Sequence, residues 1–487
     1  MKTLFNSTLE LLKENGAEYA DIRFHKSDLT ESISTLNTDI NEYAFHDRSG
    51  LGIRVLYNGA WGFHSTENHS AESVKNCAEK ALEKAKSSST FMKEKIQLAP
   101  KEKYIETYNT PINTDPFTIP TKEKIDFLIE LDKKLSHERF DYWGVNVTFY
   151  KREIFYMDSE GSEITKNLLE IDASFFASAQ DVDQQKQSRN FILFQEKEGT
   201  VGWDNLLSEK QFLQTERIKN ELLAVLDAPE CKEEICDVIL LPEMMALQTH
   251  ETIGHALELD RILGYELSYA GGSHVDLEHF NELQFGTSKL NAWADGTLKC
   301  SPGSYGFDDD GVKAVSVQLI ENGKLRNAIT SRQMIVEANK KANKEIFKAS
   351  GAACRAQSYS NFPIERMNNI NVDFGNDGSI EELIKSCKNG IILESPKSWS
   401  IGSNRENFHF ATEIGWKVID GKISHVVRNP TYRGDSLKFW NSLERVGDES
   451  TWQVQQVFNC GKGQPNQVMR LGHGVPVCLF KDIQIGN

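Results

Sequence analysis

The spacing of apolar positions predicts a helix over residues 1 to about 16, where Leu4, Phe5, Leu9 and Leu12 share one face before Gly16. Strand-like runs follow at Tyr19 to Phe24, Ile33 to Tyr43 and Leu51 to Tyr57. Asn58-Gly59 is a hairpin signal, since a two-residue turn of the favoured hand needs positive φ at both positions. Ala60-Trp61-Gly62-Phe63 is then the returning strand. Ser70 can cap a helix whose apolar positions are Val74, Cys77, Ala78, Ala81, Leu82 and Ala85; Lys86-Ser87-Ser88-Ser89 ends it. Residues 95–120 are polar and dotted with prolines, which predicts a linker.

The order then repeats. Ile125, Leu128, Ile129, Leu131 and Leu135 mark a helix, and alternating runs at Val145 to Phe149 and Glu153 to Met157 mark strands. Ser159-Glu160-Gly161 turns the chain, further strands lie near Ile171 to Phe176 and Asn190 to Phe194, and a helix runs from about Ser208 to Leu226. These patterns predict an N-terminal α/β domain, residues 1–228, built of two helix–strands–helix halves at about 1–100 and 112–228.

Beyond 229 the texture changes. Asp237-Val238-Ile239-Leu240-Leu241 is a short buried strand, and Pro242 suits the first turn of a helix that runs to about Leu259. Residues 264–312 are loop-rich, Val315 to Ile320 precedes a turn at Asn322-Gly323, and Ser331 to about Phe347 is a predicted helix. The remainder is strand-rich, with turns at Asp420-Gly421 and Gly461. The fold class is therefore α+β, its C-terminal part (229–487) an antiparallel β-rich domain around one buried helix.

At 487 residues the chain has room for two or three domains. A hydrophobic content of 39% and a charged content of 26% are ordinary for a globular protein. The formal net charge of −16 supplies no phosphate-seeking excess and argues against nucleic acid. No stretch approaches a membrane span, and the N-terminus lacks an unbroken apolar core of the signal-peptide kind, so a cytoplasmic location is expected. Eight cysteines are scattered without a C-x-x-C pair, which fits neither a disulfide framework nor a closed zinc knuckle.

The candidate chemistry is His250-Glu251-Thr252-Ile253-Gly254-His255 on the predicted buried helix. In H-E-x-x-H the histidines are four apart and reach one metal. Here they are five apart, which on a regular helix separates them by roughly 140°. Either they are unrelated, or a π-turn absorbs one residue, eased by Gly254.

The His250-Glu251-x-x-x-His255 spacing, followed by Ala256-Leu257-Glu258, resembles the signature of the TldD metallopeptidases, a family that also includes the PmbA (TldE) proteins, which lack the motif. Further blocks resemble it: Ala20 to Phe24, Gly50 to Val55, Ser350 to Arg355, Pro363 to Asn369 and Cys460-Gly461-Lys462-Gly463-Gln464. The resemblance implies that His250, His255 and Cys460 bind one zinc ion per chain and that Glu251 is the general base. It further implies a peptidase acting on extended or unfolded peptides, and a homodimer or a heterodimer with a TldE-like partner. Two nitrogens and one sulfur leave a fourth position open, as in catalytic zinc sites. The alternatives are a non-catalytic PmbA-like partner subunit and a metal-dependent hydrolase of small amides or esters.

Other residues weigh less. Glu258 could orient an imidazole or be a solvated helix residue. His274, Asp276, Glu278 and His279 cluster without a ligand spacing, Asp308-Asp309-Asp310-Gly311 lacks a calcium-loop pattern and reads as a turn, and His409, His425 and His473 show no pattern. Neither a phosphate-binding glycine loop nor a G-x-S-x-G elbow is present.

Overall fold

Two long strands, Tyr19–Leu36 and Asp39–Tyr57, form the first hairpin. Asn37 and Thr38 turn it, with φ of +52° and +75°. The expected Ile33 to Tyr43 strand is thus cut in the middle. The two-residue turn shifts the period-2 alternation by one position and the bulge at Asn41 shifts it back, so Ile33 and Tyr43 share a face and the pattern runs on through the turn. The Asn58-Gly59 hairpin forms as expected, both residues having positive φ and Tyr57 facing Ala60. The computed structural model describes residues 1–192, 200–207, 209–299 and 301–486; positions 193–194 of an expected strand, Ser208 and Cys300 lie outside them.

On its other edge Tyr19–Leu36 pairs with Tyr142–Asp158, so strands of both expected halves share one seven-stranded sheet. Its order is Ala60–Thr66, Asp39–Tyr57, Tyr19–Leu36, Tyr142–Asp158, Glu163–Gln180, with Ile105–Asn109 and Lys186–Ile192 both on the last edge. Ile105–Asn109 lies in the expected linker; it runs parallel to Glu163–Asn167 and is mostly exposed, so no apolar alternation announces it. Helices Lys2–Glu14 and Ala71–Ser89 pack on one end of the sheet around Phe5, Ile22, Ile53 and Ala78. Thr121–Leu135 packs on the other around Leu128, Val147 and Phe149. Ser70 accepts from Ser73 N at 3.2 Å, the expected cap.

In the C-terminal part Glu234–Leu240 lies between Asn389–Ile401 and Cys478–Ile485. Cys478–Ile485 continues to Thr431–Asp435, then to Asn407–Ile419, which pairs back onto Asn389–Ile401, so the pairing closes on itself. The β-rich expectation holds, with one departure: Glu234–Leu240 and Asn389–Ile401 run parallel. Both are buried centrally, where a long connection can return a strand in the same direction. Helix Arg332–Ala342 is shorter than expected. Asn343 adopts left-handed φ of +51°, and the Asn339 side chain accepts from Ile346 N and Phe347 N, satisfying groups that a longer helix would have used.

Asp309 and Asp310 join the N-terminal sheet to the C-terminal part. Lys166 Nζ donates to Asp309 Oδ1 at 2.9 Å and Arg54 Nη2 to Asp310 Oδ1 at 2.7 Å. Asp308 Oδ1 accepts from Asp310 N and Val312 N, closing the expected turn. The seven described cysteines are all unpaired. No described helix is long and apolar enough to cross a membrane.

Candidate metal centre

The helix that carries the two histidines begins with Pro242 and is anchored by Met244 and Met245, both fully buried in the core. It runs regularly to Thr249. From His250 to Gly254 the backbone widens into a π-turn and then tightens into a 3-10 turn at His255–Leu257. The wider turn absorbs the extra residue of the motif. The His250 and His255 rings meet with centroids 4.7 Å apart at 86°.

Gly254 does not work as expected. Its φ of −55° is ordinary right-handed backbone. A Cβ there would sit 2.2 Å from Met367 Sδ, so close packing against that side chain requires the glycine.

Cys460 arrives on the hairpin Gln453–Lys462 and Gln467–Val475. Its Sγ lies 3.6 Å from His255 Nε2, and the ligand atoms of His250, His255 and Cys460 all fall within 4.8 Å of one another. All three side chains are buried. Among the described residues no second group of three such ligands converges.

The ring protons follow from the neighbours. Ile370 O can only accept, so His473 Nδ1–H donates to it at 2.8 Å. Burial, with the neighbouring His250, holds His473 well below its ordinary value and therefore neutral. Its Nε2 then accepts from His250 Nδ1–H at 2.8 Å, which leaves a lone pair on His250 Nε2. His255 Nδ1–H donates to Glu258 Oε2 at 2.9 Å, so the tautomer that can ligate, with its lone pair on Nε2, turns that lone pair toward Cys460.

The electrostatics agree with that arrangement. Burial pushes Glu258 up, but Lys462, His255 and Arg261 outweigh it and hold the carboxyl well below its ordinary value. Lys462, itself fully buried, lies 3.2 Å from Glu258 Oε1 and donates to Asp260 Oδ1 at 2.7 Å. Burial likewise opposes ionisation of Cys460; His255 and Arg366 overcome it and bring the thiol below its ordinary value. Arg366 Nη2 lies 3.2 Å from Cys460 Sγ and also donates to Cys460 O. Two imidazole lone pairs and an acidified thiol thus face one point, a donor set that suits zinc with a fourth position open.

Glu251 is 8% exposed beside the first histidine. Its carboxylate takes no hydrogen bond from a described residue, while its charge is felt at His250 and Arg405.

The structure therefore brings together His250, His255 and Cys460 and adds Glu258 as a ring partner; Glu251 adjoins His250 in the chain and acts on it through its charge. The loop cluster does not converge: His274 Nδ1 meets Asn404 O at 3.2 Å, and His279 Nδ1 accepts from Asp276 N at 2.9 Å. Sequence reasoning gave no role to His473, Lys462 or Arg366. The last two lay inside the blocks quoted for the resemblance. His473 had one signal, its place among Gln467, Met469, Leu471 and Val475, the alternate buried positions of its strand.

Comparison with known proteins agrees with the geometry. The PmbA/TldA metallopeptidase C-terminal domain matches residues 233–487, and domain 1 of the same family matches residues 20–85. A metalloprotease of Methanocaldococcus jannaschii is 26% identical, over 96% of each chain. A zinc metalloprotease TldD homolog of Saccharolobus solfataricus is 26% identical, over 98% of each. The structure of TldE from Thermococcus kodakarensis superposes with a TM-score of 0.73 at 14% identity, covering 99% of this chain and 100% of that one; this likeness concerns the fold.

Proposed function

Because the chain belongs to the PmbA/TldD metallopeptidase family, we propose that it is a zinc-dependent peptidase, with the metal held by His250, His255 and Cys460 and with Glu251 as general base. The observation that carries this reading is the convergence of two Nε2 lone pairs and one acidified thiol, each oriented from behind by a buried partner. Zinc in such a site polarises a substrate carbonyl and acidifies water. The chain's own residues do the rest. A Glu251 carboxylate oxygen takes a proton from the attacking water and returns it to the leaving amine nitrogen. Glu258 and His473 hold the two rings in the ligating tautomer, and Arg366 and Lys462 balance the charge of the thiolate and of Glu258.

The substrate of this reading is an extended or unfolded peptide, bound along a β-rich surface by main-chain hydrogen bonds. The working unit is a dimer, of two copies or with a TldE-like partner, located in the cytoplasm. Residues 1–228 are the chain's N-terminal α/β domain and 229–487 its metallopeptidase domain.

Elemental analysis of the wild type, Cys460→Ser and Glu251→Gln tests the reading together with cleavage of an unstructured peptide. We expect about one zinc per chain in the wild type, as a single catalytic zinc site requires, and loss of most of it in C460S. E251Q keeps the zinc and loses about 10²–10⁴-fold in kcat. Equal metal in wild type and C460S removes Cys460 from the site. No metal in any variant under non-chelating purification moves the chain to the partner-subunit reading.

A further inference from the structure

The first hairpin leaves one strand edge open. Ala60–Thr66 pairs with Leu51–Tyr57 only, so Asp39 to Arg48 meets Tyr19–Leu36 on one side and no strand on the other among the described residues. Alternate residues of such an edge point their N–H and C=O groups outward, a template for another strand. Besides exposed charges at Asp39, Glu42, Asp47 and Arg48, this edge carries three apolar side chains on one face. Ile40, Tyr43 and Phe45 are 48%, 48% and 49% exposed. They lie opposite Thr35, Ile33 and Glu31 of the neighbouring strand, which are 2%, 1% and 3% exposed. One face of the sheet is therefore covered over Tyr19–Leu36, with Ile33 packed against helix Thr121–Leu135, and uncovered one strand further out.

We propose that this edge is the pairing surface for a second copy of the chain, joined antiparallel about a two-fold axis at Ala44. The argument is self-complementarity, which a two-fold contact demands. An axis at Ala44 sets Tyr43 opposite Phe45 twice, a favourable aromatic cross-strand pair, and sets Glu42 opposite His46. It opposes no like charges. An axis at Tyr43 instead opposes Asp39 to Asp47. In the Ala44 register the exposed apolar face becomes continuous across the two copies, and the open edge disappears. The inference rests on the dimer of the functional reading and names its surface and its partner.

Light scattering and disulfide trapping test it. The wild type should run at twice the chain mass at micromolar concentration. Ala44→Cys, oxidised with copper phenanthroline, should give a covalent dimer, because residues facing each other across the axis lie within disulfide reach. Glu72→Cys, exposed at a helix start, should not, and the wild type serves as background for the natural cysteines. Tyr43→Lys and Phe45→Lys should each run as monomers with unchanged circular dichroism. A dimeric wild type that A44C fails to trap, or that both lysine variants leave dimeric, overturns this surface and leaves the dimer standing. A monomeric wild type overturns both. Neither result touches the peptidase reading, whose test is bound zinc.

Discussion

His250 Nδ1 lies 2.8 Å from His473 Nε2, and His473 in turn is fastened to Ile370 O. The chain of donors runs one way only, because the carbonyl cannot donate. A histidine that no motif includes thus decides which nitrogen of a motif histidine is free.

Removing it should loosen the metal. His473→Ala lets the His250 ring change tautomer and orientation. Zinc affinity should fall about 10–100-fold, the usual effect of losing a ring partner behind a ligand, while the fold is kept. Competition with a fluorescent chelator measures this. Affinity equal to wild type would show that the His473 contact orients nothing.

Lys462 offers a second prediction. It lies fully buried between Glu258 and Asp260 and also donates to Glu365 O at 2.6 Å. Lys462→Met keeps the volume and removes the charge, leaving buried carboxylates uncompensated. Stability should drop by about 3–5 kcal/mol, as when one partner of a buried pair is deleted. Urea unfolding of the metal-free protein gives the number. A loss under about 1 kcal/mol, the range of exposed pairs, would contradict the burial argument.

Gly254→Ala should be destabilising although the backbone there is ordinary. The new methyl meets Met367 Sδ, and overpacking of this kind costs about 1–3 kcal/mol. Gly254→Ala with Met367→Ala should lose less than the two single losses added, since the second change makes room for the first. Strict additivity in the double-mutant cycle would locate the strain elsewhere.

The stability should also depend on pH through Glu243, in the first turn of the histidine helix. Burial, and next the charge of Glu394, raise its carboxyl from 4.5 to about 8, with Arg189 opposing. The folded-state value lies above the unfolded one, so the protonated group stabilises the fold fully below about pH 4.5, and that contribution is lost as the pH rises through about 8. Glu243→Gln, which imitates the protonated form, should flatten this fall. Parallel slopes for wild type and variant in denaturant unfolding from pH 5 to 8.5, the interval over which the linked proton is lost, would refute the assignment.

Local order was legible at most positions where one residue type has a local consequence, though Gly461, an expected turn, lies in strand Gln453–Lys462 and the chain turns just after it. Asn58-Gly59 turned, Ser70 capped, Pro242 opened its helix, and of the two readings the histidine spacing left open the π-turn is the one that forms. Readings failed where a turn and a bulge together restore alternation, at Asn37-Thr38 and Asn41, or where a strand is exposed on both faces, at Ile105–Asn109. The Gly254 reading was right about the residue and wrong about the reason. Its role depends on Met367, over a hundred residues away, and not on its own dihedral freedom.

By itself the sequence determined most of the helices and strands, the buried helix with two histidines and a glutamate, and a family likeness that singled out Cys460. Those properties follow from side-chain period and short spacings, which act within a few turns of chain. Tertiary structure alone decided that the two N-terminal halves share a sheet and that Asp309 and Asp310 tie it to the C-terminal part. It alone set His473, Arg366 and Lys462 behind the ligands. Strand pairing is made by backbone groups common to all residues, so which edges meet is written in no local pattern. The protonation of each ring and thiol then depends on burial and on charges brought from distant chain segments, and these exist only once the chain has folded.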